Sequence, residues 1–266
     1  MKKVTVRRGS RLLWPLKKAY LWLFSTLQFR KSDVLIAFFP KTGSTWVRIL
    51  LYQLYLGRTE QFTFDEINKS MPEFGNENIL QKWKFPYPRL IKTHQPYLPL
   101  FYGRKAMLFV RDPRDTMESY FHYVISNKNY NCTLDFKEFI RDKKFGLESY
   151  FKFYKSWSDR SSFVIKYEDL KENPVPTVQK ILSYLNVERS EEVIKEALAN
   201  SSISKTRDAQ KQSSKAFQQR FKEGYQFARK GDSGKGELAF DEEDKELLRS
   251  MALRYDFDYY KLGGNE

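Results

Sequence analysis

Four short apolar runs, at residues 34–39 (VLIAFF), 89–92 (RLIK), 106–110 (AMLFV) and 163–167 (FVIKY), are bounded by charges or turn-forming residues. Their length and their β-branched and aromatic content predict four strands. Residues 44–56, 113–126, 147–157 and 174–185 read as helices following these strands. Such alternation predicts an α/β fold, a central parallel sheet flanked by helices. The pattern breaks at residues 201–236, which are polar, basic and short of apolar periodicity, so a mobile loop is expected there. A last helix is expected from 241 to about 255, its first turn acidic where the helix dipole favours negative charge.

In an open α/β sheet, ligands sit beyond the carboxyl ends of the strands. The segments following the four runs therefore belong together: PKTGSTW, then KTHQP with Lys92 and His94, then RDPRD running on to Ser119, then YED. The first is a P-loop-like anion loop. Backbone N–H groups around Gly43 and the helix start at Ser44 suit an anion, while Lys41, Ser44 and Thr45 add a charge and hydroxyl donors. It is not the triphosphate loop G-x-x-x-x-G-K-[ST], because Lys41 precedes the only glycine of the run, so ATP or GTP is not implied. The plain alternative is a turn capped by Ser44.

Composition narrows the partners. With 266 residues, 41% of them hydrophobic, the chain can bury a substantial core in one domain. The formal charge of +14 attracts polyanions, whether nucleotides, sulfated or phosphorylated ligands, nucleic acid or an acidic membrane. Cys132 is the only cysteine, which excludes an intramolecular disulfide and a cysteine-based zinc site and leads us to expect a reducing, cytoplasmic setting. The sequons at Asn68, Asn131 and Asn200 are read as chance triplets.

The whole set of segments resembles the sulfotransferases that use 3′-phosphoadenosine 5′-phosphosulfate (PAPS). FFPKTGSTW is similar to the family's Y-P-K-S-G-T-T-W, IKTHQP to K-T-H-x-P, FVRDPRDTMESYFHY to R-N-P-x-D-x-x-x-S-Y, and RKGDSG to R-K-G-x-x-G; YEDLKENP adds to the match, which runs from about residue 33 to 240. The resemblance implies that Lys41, Thr42, Gly43, Ser44 and Thr45 hold the 5′-phosphosulfate, that Trp46 lies against the adenine and that Tyr167 approaches its edge. Arg111 and Ser119 would grip the 3′-phosphate with Arg229, Lys230 and Gly231, and Ser202 would belong to the same donor site. The activity implied is transfer of a sulfuryl group to a hydroxyl on a small molecule, glycolipid or saccharide, with no metal required.

Such transfer needs an acceptor hydroxyl deprotonated and charge on the leaving phosphate stabilised. His94 is the candidate base, with Lys41 and Lys92 as fixed positive charge, while His122 is read as a packing or surface residue. The chain departs from the family at Ile203, where an aromatic usually faces the adenine, and at Gly236, where a tryptophan is usual; ELAFDEEDKE also lacks the family's dimer motif, so no such dimer is predicted and the oligomeric state stays open.

Residues 1–30 form a separate basic and aromatic helical segment ahead of a domain at 31–266. Two readings stand for it. It packs on the domain as a helix, or it is a peripheral membrane anchor in which Trp14, Leu16, Tyr20, Leu21, Trp22, Leu23 and Phe24 lie beside Arg7, Arg8, Arg11, Lys17 and Lys18. No apolar run reaches the roughly 18 residues of a spanning helix. Two other classes compete with the enzyme: a nucleotide-dependent phosphotransferase or NTPase, which needs a magnesium site and a Walker-type loop, and a basic nucleic-acid or membrane-surface module, which leaves the strand-end motifs unexplained. A nucleic-acid partner is not expected.

Overall fold

The computed structural model describes residues 2–6, 14–58, 60–76, 79, 82–160, 163–225 and 234–261. Its centre is a four-stranded, all-parallel sheet of β2 (Val34–Phe38), β3 (Leu90–Thr93), β4 (Lys105–Val110) and β6 (Phe163–Lys166), in the spatial order β3-β2-β4-β6. β2 and β3 pair from Val34↔Leu90 to Ala37↔Thr93, and β2 and β4 from Val34↔Lys105 to Phe38↔Phe109. Because β3 and β4 flank β2 on opposite sides, the chain reverses its winding there, and the crevice beyond the ends of these three strands is where a ligand is expected.

Both faces of the sheet are covered, which is why the strands read as continuous apolar runs. Leu35, Ala37 and Phe39 point into a core shared with α4 (Pro113–Ser126) and α6 (Leu147–Ser158). Val34, Ile36 and Phe38 point the other way, against α2 (Ser44–Leu56), α8 (Pro174–Leu185) and α9 (Glu191–Asn200). The four predicted strands and helices lie within a residue of their expected ends, and the last helix, α12 (Glu242–Arg254), begins with a capping box between Asp241 and Asp244.

Several elements were not expected, among them α9 and a short helix at Phe136–Arg141. A small antiparallel pair joins β1 (Val4–Val6) to β5 (Tyr130–Cys132), tying the N-terminal segment to the domain. Within residues 201–236, a loop was expected, yet α10 (Ile203–Lys211) and α11 (Lys215–Gln218) are helical. These helices lack a broad apolar stripe and are held by a few anchors: Thr206 and Ala209 are buried, and the Phe64 N–H donates to Ser213 Oγ at 3.2 Å. Residues 226–233 lie outside the described residues.

Helix α1 (Trp14–Leu27) lies on the domain by one face only. Ser25 is buried and accepts the Gly75 N–H at 2.9 Å, and Trp22, Phe24 and Phe29 pack against the first core. There is no break in packing near residue 30: Arg89 donates to Gln28 O and Arg104 to Arg30 O.

Candidate active site

The loop after β2 turns twice through the left-handed region, at Lys41 (φ 71°) and Gly43 (φ 88°), and delivers Ser44 as the first residue of α2. No side chain caps this helix start, so the first-turn N–H groups meet no side-chain competitor for an anion. Thr42 is buried beneath the loop and closes it with a hydroxyl bond to Phe39 O at 2.8 Å. Gly43 is required on two counts: its φ is positive, and a Cβ there would lie 2.7 Å from Tyr167 Cδ2.

Tyr167, at the end of β6, closes the far side of the loop. Its ring meets Trp46 edge-on, with centroids 5.3 Å apart, and carries the Arg111 guanidinium 4.6 Å above it. Arg111 also donates to Lys41 O at 3.2 Å and lies 3.8 Å from Asp115, so the residues after β2, β4 and β6 form one cluster. Ser119 sits one helical turn beyond Asp115 on the same side of α4. Trp46 Nε1 donates to Ser201 Oγ at 3.3 Å, and the adjacent Ser202 begins α10, its hydroxyl 3.1 Å from that of Ser204.

Arg229, Lys230 and Gly231 lie outside the described residues, but the chain that follows them is anchored beside Arg111. The Gly234 and Gly236 N–H groups donate to Asp115 at 2.9 and 2.6 Å. Gly236 rests on the backbone of α4 so closely that a Cβ would fall 2.2 Å from the Arg114 carbonyl carbon. The unexpected glycine is thus a condition of this contact, and no tryptophan could occupy the position without displacing it.

Beyond β3, His94 Nδ1 is 2.7 Å from Phe38 O. A carbonyl only accepts, so Nδ1 carries the proton and Nε2 is left as the proton-accepting nitrogen. Burial and the neighbouring Lys92 ammonium push the His94 pKa down to about 4, so the ring is neutral at physiological pH. Lys92 donates to Glu73 at 3.0 Å; burial, with the Arg48 charge, lowers the Lys92 pKa, and Glu73 acts against that. Burial alone would raise the Glu73 carboxyl, but Lys92, His94 and Arg48 outweigh it and hold it at about 2.

Arg48 and Glu73 carry no motif and were missed in the sequence. Arg48 is buried one turn into α2, donating to Asn68 Oδ1 and to the Ile67 and Met71 carbonyls that end α3 (Phe64–Ser70). Its one signal was being the only charge in STWVRILLYQLYL. Glu73 offered none, since its role depends on a parallel bridge between residue 73 and Lys92 at the sheet edge. His122 pairs with Glu118 at 3.2 Å on the half-exposed side of α4, in keeping with a surface role.

Lys41, Ser44, Thr45, Arg48, Lys92 and His94 line a single cavity of about 480 Å³. Tyr120 and Tyr123 from α4 form another wall, with Lys41 Nζ 4.9 Å from the Tyr123 ring. Phe217, Arg220 and Phe221, from the segment expected to be loose, cover it; Phe217 packs edge-on against Phe64 and Phe221 against Tyr123.

Residues 31–254 match the protein-family model described as "Sulfotransferase domain". The chain is 30% identical over 215 residues to "Sulfotransferase 1 family member D1" of Mus musculus, covering 74% of this chain and 72% of that protein. It is 30% identical to "Sulfotransferase 1B1" of Canis lupus familiaris, covering 67% of each. Among solved structures, mouse sulfotransferase SULT7A1 complexed with PAP superposes with a TM-score of 0.68 at 19% identity, covering 92% of this chain and 91% of that one. Retinol dehydratase in complex with retinol and PAP gives 0.70 at 18% identity, covering 93% and 87%.

Proposed function

The chain belongs to the sulfotransferase domain family, and from that premise we propose that it moves a sulfuryl group from PAPS to a hydroxyl acceptor, with His94 as general base. Family membership replaces the rival phosphotransferase and binding-module readings. The donor supplies an activated SO₃ unit on a phosphate leaving group.

The observation that carries the proposal is the His94–Phe38 bond. It fixes the tautomer in which Nε2 accepts a proton, on a residue lining the cavity that also contains Lys41, Ser44 and Thr45. The uncapped start of α2 and Lys41 suit the 5′-phosphate and offset the charge left on it. Arg111, stacked on Tyr167 beside Trp46, suits a phosphate next to a purine, with Ser119, Ser202 and the outlying Arg229, Lys230 and Gly231 completing the donor set. The pKa of about 4 makes His94 a weak base in the free enzyme, and Lys92 is part of the cause. An anionic donor beside Lys41 and Lys92 offsets that charge, so the base strengthens when the donor is bound.

The acceptor side mixes polar and aromatic groups: Asn68, Asn76, Lys69 and Arg220 share the wall with Tyr120 and Phe217. This favours an acceptor with several hydroxyls or other polar groups around a ring, as in a saccharide or glycolipid headgroup, over a plain phenol. Calorimetric titration with 3′-phosphoadenosine 5′-phosphate, ATP and a mixed oligonucleotide in one buffer tests the donor site. Selective binding of the first is expected, and equal binding of all three would overturn the proposal. A screen of labelled-donor transfer to phenols, alcohols and glycosides tests the acceptor.

A further inference from the structure

Helix α1 has two unlike faces. The inner one packs on the domain through Trp22, Phe24 and Ser25. On the outer one, Leu16, Tyr20, Leu23 and Leu27 are 68%, 62%, 63% and 71% exposed. At 100° per residue these four fall within about 60° of arc, a continuous apolar stripe along the whole helix. Beside the end of α1, Arg104 donates to Arg30 O and stacks on Phe29, and the turn that carries it presents Tyr102, 86% exposed.

The sequence that carries the stripe has charge of one sign. Residues 1–32 contain nine lysines and arginines and no aspartate or glutamate. Among the described ones, Lys17, Arg30 and Lys31 are exposed next to the stripe in sequence. A second copy of the chain would bring like charge against like charge, whereas an anionic lipid surface takes up both the leucines and the cations.

We propose that the outer face of α1, together with Tyr102, docks on an anionic lipid surface. The helix lies in the interface plane, the leucines and Tyr20 entering the headgroup boundary while Lys17 and Lys31 meet lipid phosphate. The inner face gives this docking a consequence for the site: Ser25 holds the Gly75 N–H, and Trp22 abuts Gly75, between cavity-lining Glu73 and Asn76. The cavity wall is therefore one packing layer from the docked helix, which suits an acceptor carried by a lipid. The docking itself does not depend on the acceptor or on the transfer reaction.

The test is sedimentation of the full chain with vesicles of phosphatidylcholine alone and of phosphatidylcholine mixed with phosphatidylglycerol. Binding to the mixed vesicles, weakened by salt, is expected. Replacing Leu16, Leu23 and Leu27 together by serine should lower partitioning about tenfold or more. Lys17→Gln and Lys31→Gln should each lower it roughly fivefold. All variants should keep the melting temperature and the affinity for 3′-phosphoadenosine 5′-phosphate. Failure to sediment with the anionic vesicles, or equal sedimentation of the serine variant, would overturn the proposal. So would a dimer, seen by size exclusion, that the serine variant dissociates, because the stripe would then be a self-interface.

Discussion

Glu73→Gln isolates the charge that answers Lys92 and Arg48 in the wall of the cavity. Glutamine keeps the length of the side chain and an oxygen for Lys92, but leaves Lys92 and Arg48 without the carboxylate between them. The depression of the Glu73 pKa from 4.5 to about 2 corresponds to roughly 3 kcal/mol of favourable interaction in the folded state. Lys92 moves the other way, its own pKa lowered by burial, so the pair returns part of that gain. A net loss of about 2 kcal/mol at neutral pH follows, or about 4–8 °C in Tm for a chain of this size.

The pH dependence separates this charge from simple packing. A carboxyl with a folded pKa below its unfolded value stabilises fully above the unfolded value and loses that contribution as pH falls through the folded one. The gap between wild type and Glu73→Gln should hold from pH 7 to about 5, shrink below 4.5, and be more than half gone by about pH 3. Urea unfolding followed by circular dichroism across this range measures it. A gap under 1 °C at pH 7, or one unchanged at pH 3, would refute the electrostatic account.

His94→Ala should lower transfer by about 10²–10⁴-fold while leaving 3′-phosphoadenosine 5′-phosphate binding within about twofold; loss of both with the fold intact would remove His94 as the base. With His94 as the proposed base, its neutral ring would be the active form, so kcat/KM should fall as pH drops toward 4, and the acid limb of kcat should lie higher once donor is bound. Arg111→Ala should weaken the 3′-phosphorylated nucleotide at least about tenfold more than adenosine 5′-phosphate, and equal weakening by calorimetry would show that it does not read the 3′-phosphate. Gly236→Ala should detach residues 234–236 from Asp115, seen as lost hydrogen-exchange protection at 234–239; unchanged protection would mean the close contact with Arg114 can yield.

What was legible in the sequence was what local pattern dictates. The four central strands are buried on both faces, so their apolar runs ended where the sheet ends. β1 and β5 were not legible because three residues carry no period and their pairing spans more than a hundred positions. α10 and α11 were hidden because polar helices are held here by tertiary bonds, such as the Ser214 N–H to Asp65, rather than by an apolar stripe. In the site, the motif residues were found through their order along the chain. Glu73 became visible only when the segment at 72–74 joined the β3 edge, with Lys92 N–H donating to Pro72 O and Phe74 N–H to Lys92 O.

The site's electrostatics explain why such a residue matters although no motif contains it. Lys41, Arg48 and Lys92 line one cavity and Arg111 adjoins it through its bond to Lys41 O, and burial there raises the cost of like charge. Two carboxylates offset them: Glu73 answers Lys92 and Arg48, and Asp115 stands 3.8 Å from Arg111. Each serves a second purpose. Asp115 accepts the backbone N–H groups of Gly234 and Gly236, so the residue facing Arg111 also anchors the chain that follows Arg229 to Gly231 in sequence. Glu73 raises the His94 pKa against burial and the pull of Lys92, so the residue that makes the lysine tolerable also limits how far the His94 pKa falls. Under the proposed function, a donor anion held at the start of α2 would add negative charge near Lys41 and Lys92, and so would raise the His94 pKa as Glu73 does.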